Sequence, residues 1–312
     1  MWIKVLFPVA LIFSHTAEAI LQVPADEATK NSRTSAAELD ADQPKVDDVA
    51  DDPMPSEMLR RMQEVEVFMK GGDGAETQAI LHPTPVFRYT DEPRWIHDAT
   101  LWVWTIDGRP VAMQKLEANS FRSNQNASGK SPKWTHCFSS LSPDLIKSRW
   151  PEQSFEAKAA GVEYAPISKA PVPDSTSVKR KLQIRQLSRR FSAVSGRRED
   201  DMSPMRMMPR PIFEFSDSNN MPLGAIFGLE ANGTNPDMLL IISAIPDEDG
   251  KLSWQFGISR MTDTGAKIKL DEFEVLSAET VNVQLTNVFD NWMFFYTDRT
   301  FLTPTEQKAE EK

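Results

Sequence analysis

His82-Pro-Thr-Pro-Val-Phe-Arg-Tyr-Thr-Asp91 reappears in degenerate form as Met208-Pro-Arg-Pro-Ile-Phe-Glu-Phe-Ser-Asp217. The alignment continues without a gap for another 27 positions, pairing Ala99 with Ala225, Pro110 with Pro236 and Ala118 with Ala244. Self-similarity at a fixed register predicts two similar units packed about a pseudo-twofold axis. That is a statement about architecture, because function resides in sites and not in folds.

Working outward, each unit reads as a helix followed by an antiparallel meander. In the first, Ser56 is the expected N-cap of a helix over 56–70, with Met58, Leu59, Met62, Val65 and Met69 at helical spacing and Gly71-Gly72 as the stop. Strands are expected over Pro85 to Tyr89, Leu101 to Ile106, Val111 to Ala118 and Trp134 to Leu141. Asp107-Gly108 is a hairpin signal, since both residues tolerate the left-handed backbone that a tight turn demands. The proline-dense stretch 165–173 suits a surface strap between the units.

In the second unit, Ser175 or Ser177 is expected to cap a helix running to about Val194. Strands then follow over Pro211 to Phe215, Gly224 to Glu230, Met238 to Ala244 and Leu252 to Arg260, with Trp254 in the place of Trp134 after a loop six residues shorter. Lys267 to Leu276, Thr280 to Val288 and Trp292 to Thr297 add three alternating strands. The expected class is α+β, with the two repeats in a pseudo-twofold arrangement and either a shared core or a continuous interface.

The flanks read differently. Met1 to Ala19 has the Lys4 n-region, a short apolar run from Val5 to Phe13 and a small-x-small cleavage site at Ala17-Glu-Ala19, the pattern of a secretory signal. The apolar run is short of the roughly 18 residues a membrane span requires, so no transmembrane span is expected after signal removal. Residues 20–54 form an acidic linker, with nine acids and three bases between Ile20 and Pro53. More than half of the net charge of −10 therefore sits outside the expected folded body, which comprises a first unit over 55–174 and a second over 175–302, followed by a polar tail, 303–312. The single cysteine, Cys137, excludes an internal disulfide and reads as a small buried hydrophobe.

Several further segments carry a resemblance: Leu141-Ser-Pro143, Ala160-Gly-Val-Glu-Tyr164, Ala170-Pro-Val-Pro173, Arg189-Arg-Phe191, Pro209-Arg-Pro211 with Arg206, and Gly233-Thr-Asn-Pro-Asp237. In combination they resemble a group of uncharacterised exported proteins of planctomycete-type bacteria, over most of residues 80–260. The resemblance implies a periplasmic or secreted address and a common fold, and it supplies no activity and no catalytic residue.

Chemistry is weakly written. Nothing has the His-Glu-x-x-His or paired-cysteine spacing of a metal site, and His82, His97 and His136 align with Met208, Leu223 and Phe256, positions that suit a core; no metal or other cofactor is expected. A glycine-rich phosphate cradle and Gly-x-Ser-x-Gly are absent. Trp102 and Trp104 share one strand face, which suits either a stacking platform or core packing, and their counterparts are Gly228 and Glu230. Lys179 to Arg198 carries eight basic residues and no acid, with Ile184, Leu187, Phe191 and Val194 as an apolar face, suited to an anionic lipid surface, an acidic partner or docking on a sheet. No nucleic-acid partner is expected of an exported acidic chain lacking an aromatic-interleaved basic patch.

The binding surface expected from the sequence is the polar cluster Glu230, Asn232, Thr234, Asn235 and Asp237 with Arg210, although Gly233 and Asn235 equally satisfy a turn. Glu117, Glu163, Glu214 and Glu230 are carboxylates whose pairing the sequence hides. The function expected is non-catalytic binding or scaffolding toward an envelope protein or glycan. A hydrolase of an envelope polymer and a membrane-surface protein using 179–198 are the alternatives.

Overall fold

The computed structural model describes residues 52–299 except 73, 123–129, 232, 248 and 283–285, with backbone alone at 120–122, 130 and 131. The expected signal segment, the expected linker up to residue 51, the expected polar tail and Asn232 lie outside the described residues.

Helix α1 (Met54–Gln63) leads into β1 (Glu66–Lys70), β2 (Glu76–Gln78), β3 (Ile80–Leu81) and β4 (Phe87–Asp91). Three long strands follow, β5 (Ile96–Ile106), β6 (Arg109–Arg122) and β7 (Lys130–Ser140), then β8 (Leu145–Arg149), β9 (Ser154–Glu156) and β10 (Ala165–Pro166). The second half runs α2 (Ser177–Ser188), β11 (Phe191–Gly196), β12 (Ser203–Pro204), β13 (Arg206–Met207), β14 (Phe213–Ser216), β15 (Pro222–Glu230), β16 (Met238–Pro246) and β17 (Leu252–Arg260). It closes with β18 (Gly265–Leu270), β19 (Phe273–Ala278), β20 (Thr286–Val288) and β21 (Trp292–Asp298). The fold is α+β, with two helices among the described residues and antiparallel sheets.

Two small sheets have the orders β2-β1-β8-β9 and β12-β11-β18-β19. Two large sheets have the orders β20-β21-β7-β6-β5-β3, with β4 also on β5, and β10-β17-β16-β15-β13, with β14 also on β15. The large sheets face each other. Leu101, Val103, Met113 and Cys137 of one pack with Ile226, Leu239 and Ile241 of the other. On the outer face of the first, Trp102, Trp104, Trp134 and Phe138 pack under Met54, Met58 and Met62 of α1 and Val67 and Ile146 of the small sheet. On the outer face of the second, Phe227, Leu240, Ile242 and Trp254 pack under Ile184 and Leu187 of α2 and Phe191 and Ile268. Side chains of a strand alternate between faces, so a strand covered on both sides is buried along its whole length. Burial of every residue from Pro222 to Glu230 follows from that placement.

The local signals explain the turns and correct several boundaries. Asp107 (φ 49°) and Gly108 (φ 75°) both adopt the left-handed backbone that closes the β5–β6 hairpin. Helix α1 ends at Gln63, not at 70, because Val65 and Val67 also fit a two-residue period and β1 pairs with β8. Its N-cap is Pro53, not Ser56. Helix α2 likewise ends at Ser188, and Phe191 and Val194 lie on β11, paired with β18. Its N-cap is Thr176, whose hydroxyl donates to Asp174, so neither Ser175 nor Ser177 caps it. The single strand expected over Lys267 to Leu276 is a hairpin, turned at Asp271 (φ 54°).

The apolar residues of the basic segment are covered: Ile184, Leu187 and Phe191 are buried. The apolar face that an inserting amphipathic helix would use is therefore spent on the sheet, while Val178 and Leu182 of α2 stay exposed. Trp102 and Trp104 are also buried, so they are core and not a stacking platform.

Candidate functional site

The polar end of the interface between the large sheets is a cleft of about 390 Å³. Strand alternation aims Lys115, Glu117 and Asn119 of β6 to one side, beside Thr135 and Cys137 of β7. The β15–β16 turn brings Asn235 and Asp237 from the second half, and the 3-10 turn Glu92–Arg94 brings Arg94 and Trp95 to the rim.

The floor is deeply buried, with Lys115 2%, Asn235 3% and Asp237 1% exposed. Buried charge is tolerated only when paired and hydrogen-bonded, and here the bonds form one network. Lys115 Nζ donates to Asn235 Oδ1 (2.6 Å) and to the Met261 carbonyl (2.8 Å). The Tyr89 hydroxyl donates to Glu117 Oε1 (2.7 Å). The Asn235 amide reaches Asp91 Oδ2 and Glu117 Oε1, both at 3.4 Å. Arg94 bridges Asp237 Oδ1 (3.1 Å) and Asp91 Oδ2 (3.4 Å), while the Ala231 amide donates to Asp237 Oδ2 (3.0 Å). Every link between Asn235 or Asp237 and the first-half groups crosses from one half to the other.

Burial raises the Glu117 carboxyl above its ordinary range, with Lys115, Tyr89 and Arg94 opposing. Tyr89 is raised by burial and then by Glu117. Burial pushes the Cys137 thiol up to about 12, so it is no nucleophile at neutral pH. On the cleft wall the Asn119 amide donates to the Thr135 hydroxyl, and Asn119 Oδ1 is buried with no hydrogen-bond partner among the described residues. At the rim Trp95 is 49% exposed and holds a left-handed backbone (φ 56°), which a bulky residue seldom adopts. Such strain recurs at ligand clamps.

The expected cluster is divided. Asn235 and Asp237 enter this cleft, whereas Arg210, Glu230 and Thr234 line a separate pocket of about 350 Å³ with Arg206, Met208 and Ile212. Glu230 is buried against Arg206 (2.7 Å), Thr234 donates to the Thr90 carbonyl (3.2 Å) and Arg210 is exposed. The sequence reading missed Lys115 and Arg94 and left Glu117 without a partner. Its available signal was Lys115-x-Glu117, two charges on one face of an otherwise apolar strand and aligned with Ile241 and Ser243.

Each of the three described histidines has its own separate setting. His82 Nδ1 meets the Thr84 carbonyl (2.7 Å), and His97 lies 3.6 Å from Glu92. His136 is buried, stacked 4.3 Å from Phe295 and bonded to Gln114 and Thr297. Burial, with Arg61 nearby, lowers its pKa to about 3. Among the described residues no group of three histidine, cysteine or acidic side chains is placed to hold a metal ion. No family model, no curated protein and no solved structure matches the chain.

Proposed function

We propose that this is an exported, non-catalytic binding protein whose recognition site is the cleft around Lys115, Glu117, Asn235 and Asp237. One observation carries the reading: the buried charges of the cleft are already held by one another across the two halves. A preorganised polar floor under an exposed aromatic rim suits a small hydroxylated ligand of the envelope, such as a glycan fragment, whose flat face stacks on Trp95. The resemblance to exported proteins and the signal-like segment support the extracytoplasmic address.

The two halves are, on the same reading, a duplication about a pseudo-twofold axis. Support comes from the matching strand orders, from the cross-strand pairs Ala118 with Trp134 and Ala244 with Trp254, and from a self-meeting pair. Ser139 aligns with Ser259 once the shorter loop is counted, and their hydroxyls meet at 2.8 Å, as residues beside a twofold axis would.

The test is thermal unfolding of the chain from Ile20 against envelope saccharides. A saccharide-specific rise in Tm that Trp95→Ala removes, with the unliganded Tm unchanged, is the expected result. A flat panel from a cooperatively unfolding protein overturns it. A hydrolytic reading has one favourable observation, the raised carboxyl of Glu117 beside Asp91, and it requires turnover of an envelope polymer that Glu117→Gln abolishes.

A further inference from the structure

A second pocket, of about 790 Å³, lies at the other end of the interface between the large sheets, under the β5–β6 hairpin. Its wall is formed mainly by Ile106, Val111, Leu141, Val162, Phe215 and Ile245. Val111, Leu141, Val162 and Phe215 are core residues, so the apolar surface of the pocket continues directly into the packed interior. The volume falls within the range of small-molecule sites, which are mostly apolar with a few placed polar groups.

Two polar groups stand inside that wall. Arg109 reaches toward β16, where its guanidinium makes one long hydrogen bond, 3.4 Å to the Ser243 hydroxyl, and it has no ion pair among the described residues. Tyr164 lies over Gly257, where a Cβ would come within 3.3 Å of its ring, and no hydrogen bond to its hydroxyl is found among the described residues. A guanidinium carries five donors in a planar fork that fits a carboxylate. Here almost all of that capacity is unspent, in a wall that is mainly apolar apart from Ser142 and Gln255. At the mouth, Asp107, Asp144 and Glu163 are exposed.

We propose that this pocket binds an amphiphilic monocarboxylate, its carboxylate received by Arg109 and Tyr164 and its acyl chain lying along the apolar wall. The polar groups decide among head groups. One guanidinium balances one negative charge, and the three exposed acids at the mouth oppose a phosphate dianion about twice as strongly as a monocarboxylate. A primary amine would meet Arg109 as a like charge. An alcohol of the same chain length would leave the guanidinium without a counter-charge.

The experiment is calorimetric titration of the chain from Ile20 with octanoate, decanoate and dodecanoate below their critical micelle concentrations, with dodecanol and dodecylamine alongside. Each buried methylene tightens binding about fourfold, so dodecanoate is expected to bind about 15-fold more tightly than decanoate. Dodecanol and dodecylamine are expected to bind at least tenfold more weakly than dodecanoate. Arg109→Gln should weaken dodecanoate about tenfold, leave dodecanol unchanged and leave the Tm unchanged. Ile245→Trp, which fills the pocket from a partly exposed position, should abolish binding of the whole series. Trp95→Ala, at the other end of the interface, should change nothing, which separates this site from the polar cleft. Absence of binding, equal affinity for acid and alcohol, no dependence on chain length, or an Arg109→Gln variant with unaltered dodecanoate affinity each overturns the proposal.

Discussion

The first half places charged or polar side chains at several buried positions where the second half places small or apolar ones. At equivalent positions of the two strand ladders, Lys115 stands against Ile241, Glu117 against Ser243 and His136 against Phe256, while Trp102 stands against Phe227. All of these positions are buried or nearly so. The strand framework tolerates both choices because a buried charge requires only that its partners arrive with it. Asn235, Asp237 and Arg94 supply those partners at one end of the interface. At the other end Arg109 and Ser243 share one long bond and the wall is apolar. The same backbone pairing thus supports a wet, cross-linked end and a greasy one.

Four single substitutions, one of them also combined with a second, test that contrast, from the strongest expected effect to the weakest. Lys115→Ile, which installs the second-half residue, removes the donor to Asn235 and the Met261 carbonyl and the cation nearest to Glu117. It should cost about 3 kcal/mol or more in urea unfolding, because buried polar groups lose their partners. Lys115→Ile combined with Glu117→Ser should recover part of that loss. A neutral Lys115→Ile would break the comparison outright, since it would mean that the network contributes nothing.

His136→Phe sharpens it through pH. The folded-state pKa of His136 lies near 3, below its ordinary value of about 6.5, so the unfolded chain takes up the proton first as pH falls. The contribution of His136 to stability is full above about pH 6.5 and is lost progressively down to about pH 3. The native protein should lose about 3 kcal/mol at pH 4 from this group, and His136→Phe should lose correspondingly less over the same interval. Equal pH profiles for the two proteins would show that His136 is not held neutral by burial.

Gly228 of β15 faces Met208 and Ile212, on the side of the strand that meets the other large sheet. A Cβ there would lie 2.7 Å from Met208 Sδ and 2.8 Å from Ile212 Cδ1, both ends of flexible side chains, and 3.1 Å from Pro236 Cβ, which must give by only a few tenths of an ångström. Gly228→Ala should therefore cost only about 1–2 kcal/mol, read as a lower urea midpoint at unchanged slope. Ser139→Ala removes the hydroxyl that meets Ser259, which keeps its second bond to the Ser140 carbonyl, and should cost about 1 kcal/mol. A larger loss at Ser139 than at Lys115 would move the energetic centre of the interface from the polar end to its middle.

The strands were the legible part of the fold. Leu252–Arg260 lies where its alternation predicts it, and the Asp107-Gly108 turn has the backbone its two residues favour. The helix ends were not legible, because Met62, Val65 and Met69 fit a period near four while Val65, Val67 and Met69 fit a period of two. Phe191 and Val194 posed the same ambiguity, and pairing with β18 resolved it. In the site, Asn235 and Asp237 stood out as polar turn residues, whereas Glu230 and Thr234 beside them belong to another pocket. Turn chemistry identifies which residues are polar and not which neighbour each one meets.

By itself the sequence determined the local matters: alternation, the tight turns, and the order in which strands follow one another in each half. These depend on residues a few positions apart, which share one backbone segment. Tertiary structure decided whether 66–70 and 191–196 continue a helix or pair as strands, since their partners lie at 145–149 and 265–270. It also decided that Arg94 finds Asp237 across 143 residues and that Lys115 finds Asn235 across 120. Contacts at that separation form only when two sheets close face to face, and burial then fixes which charges must be satisfied and by whom.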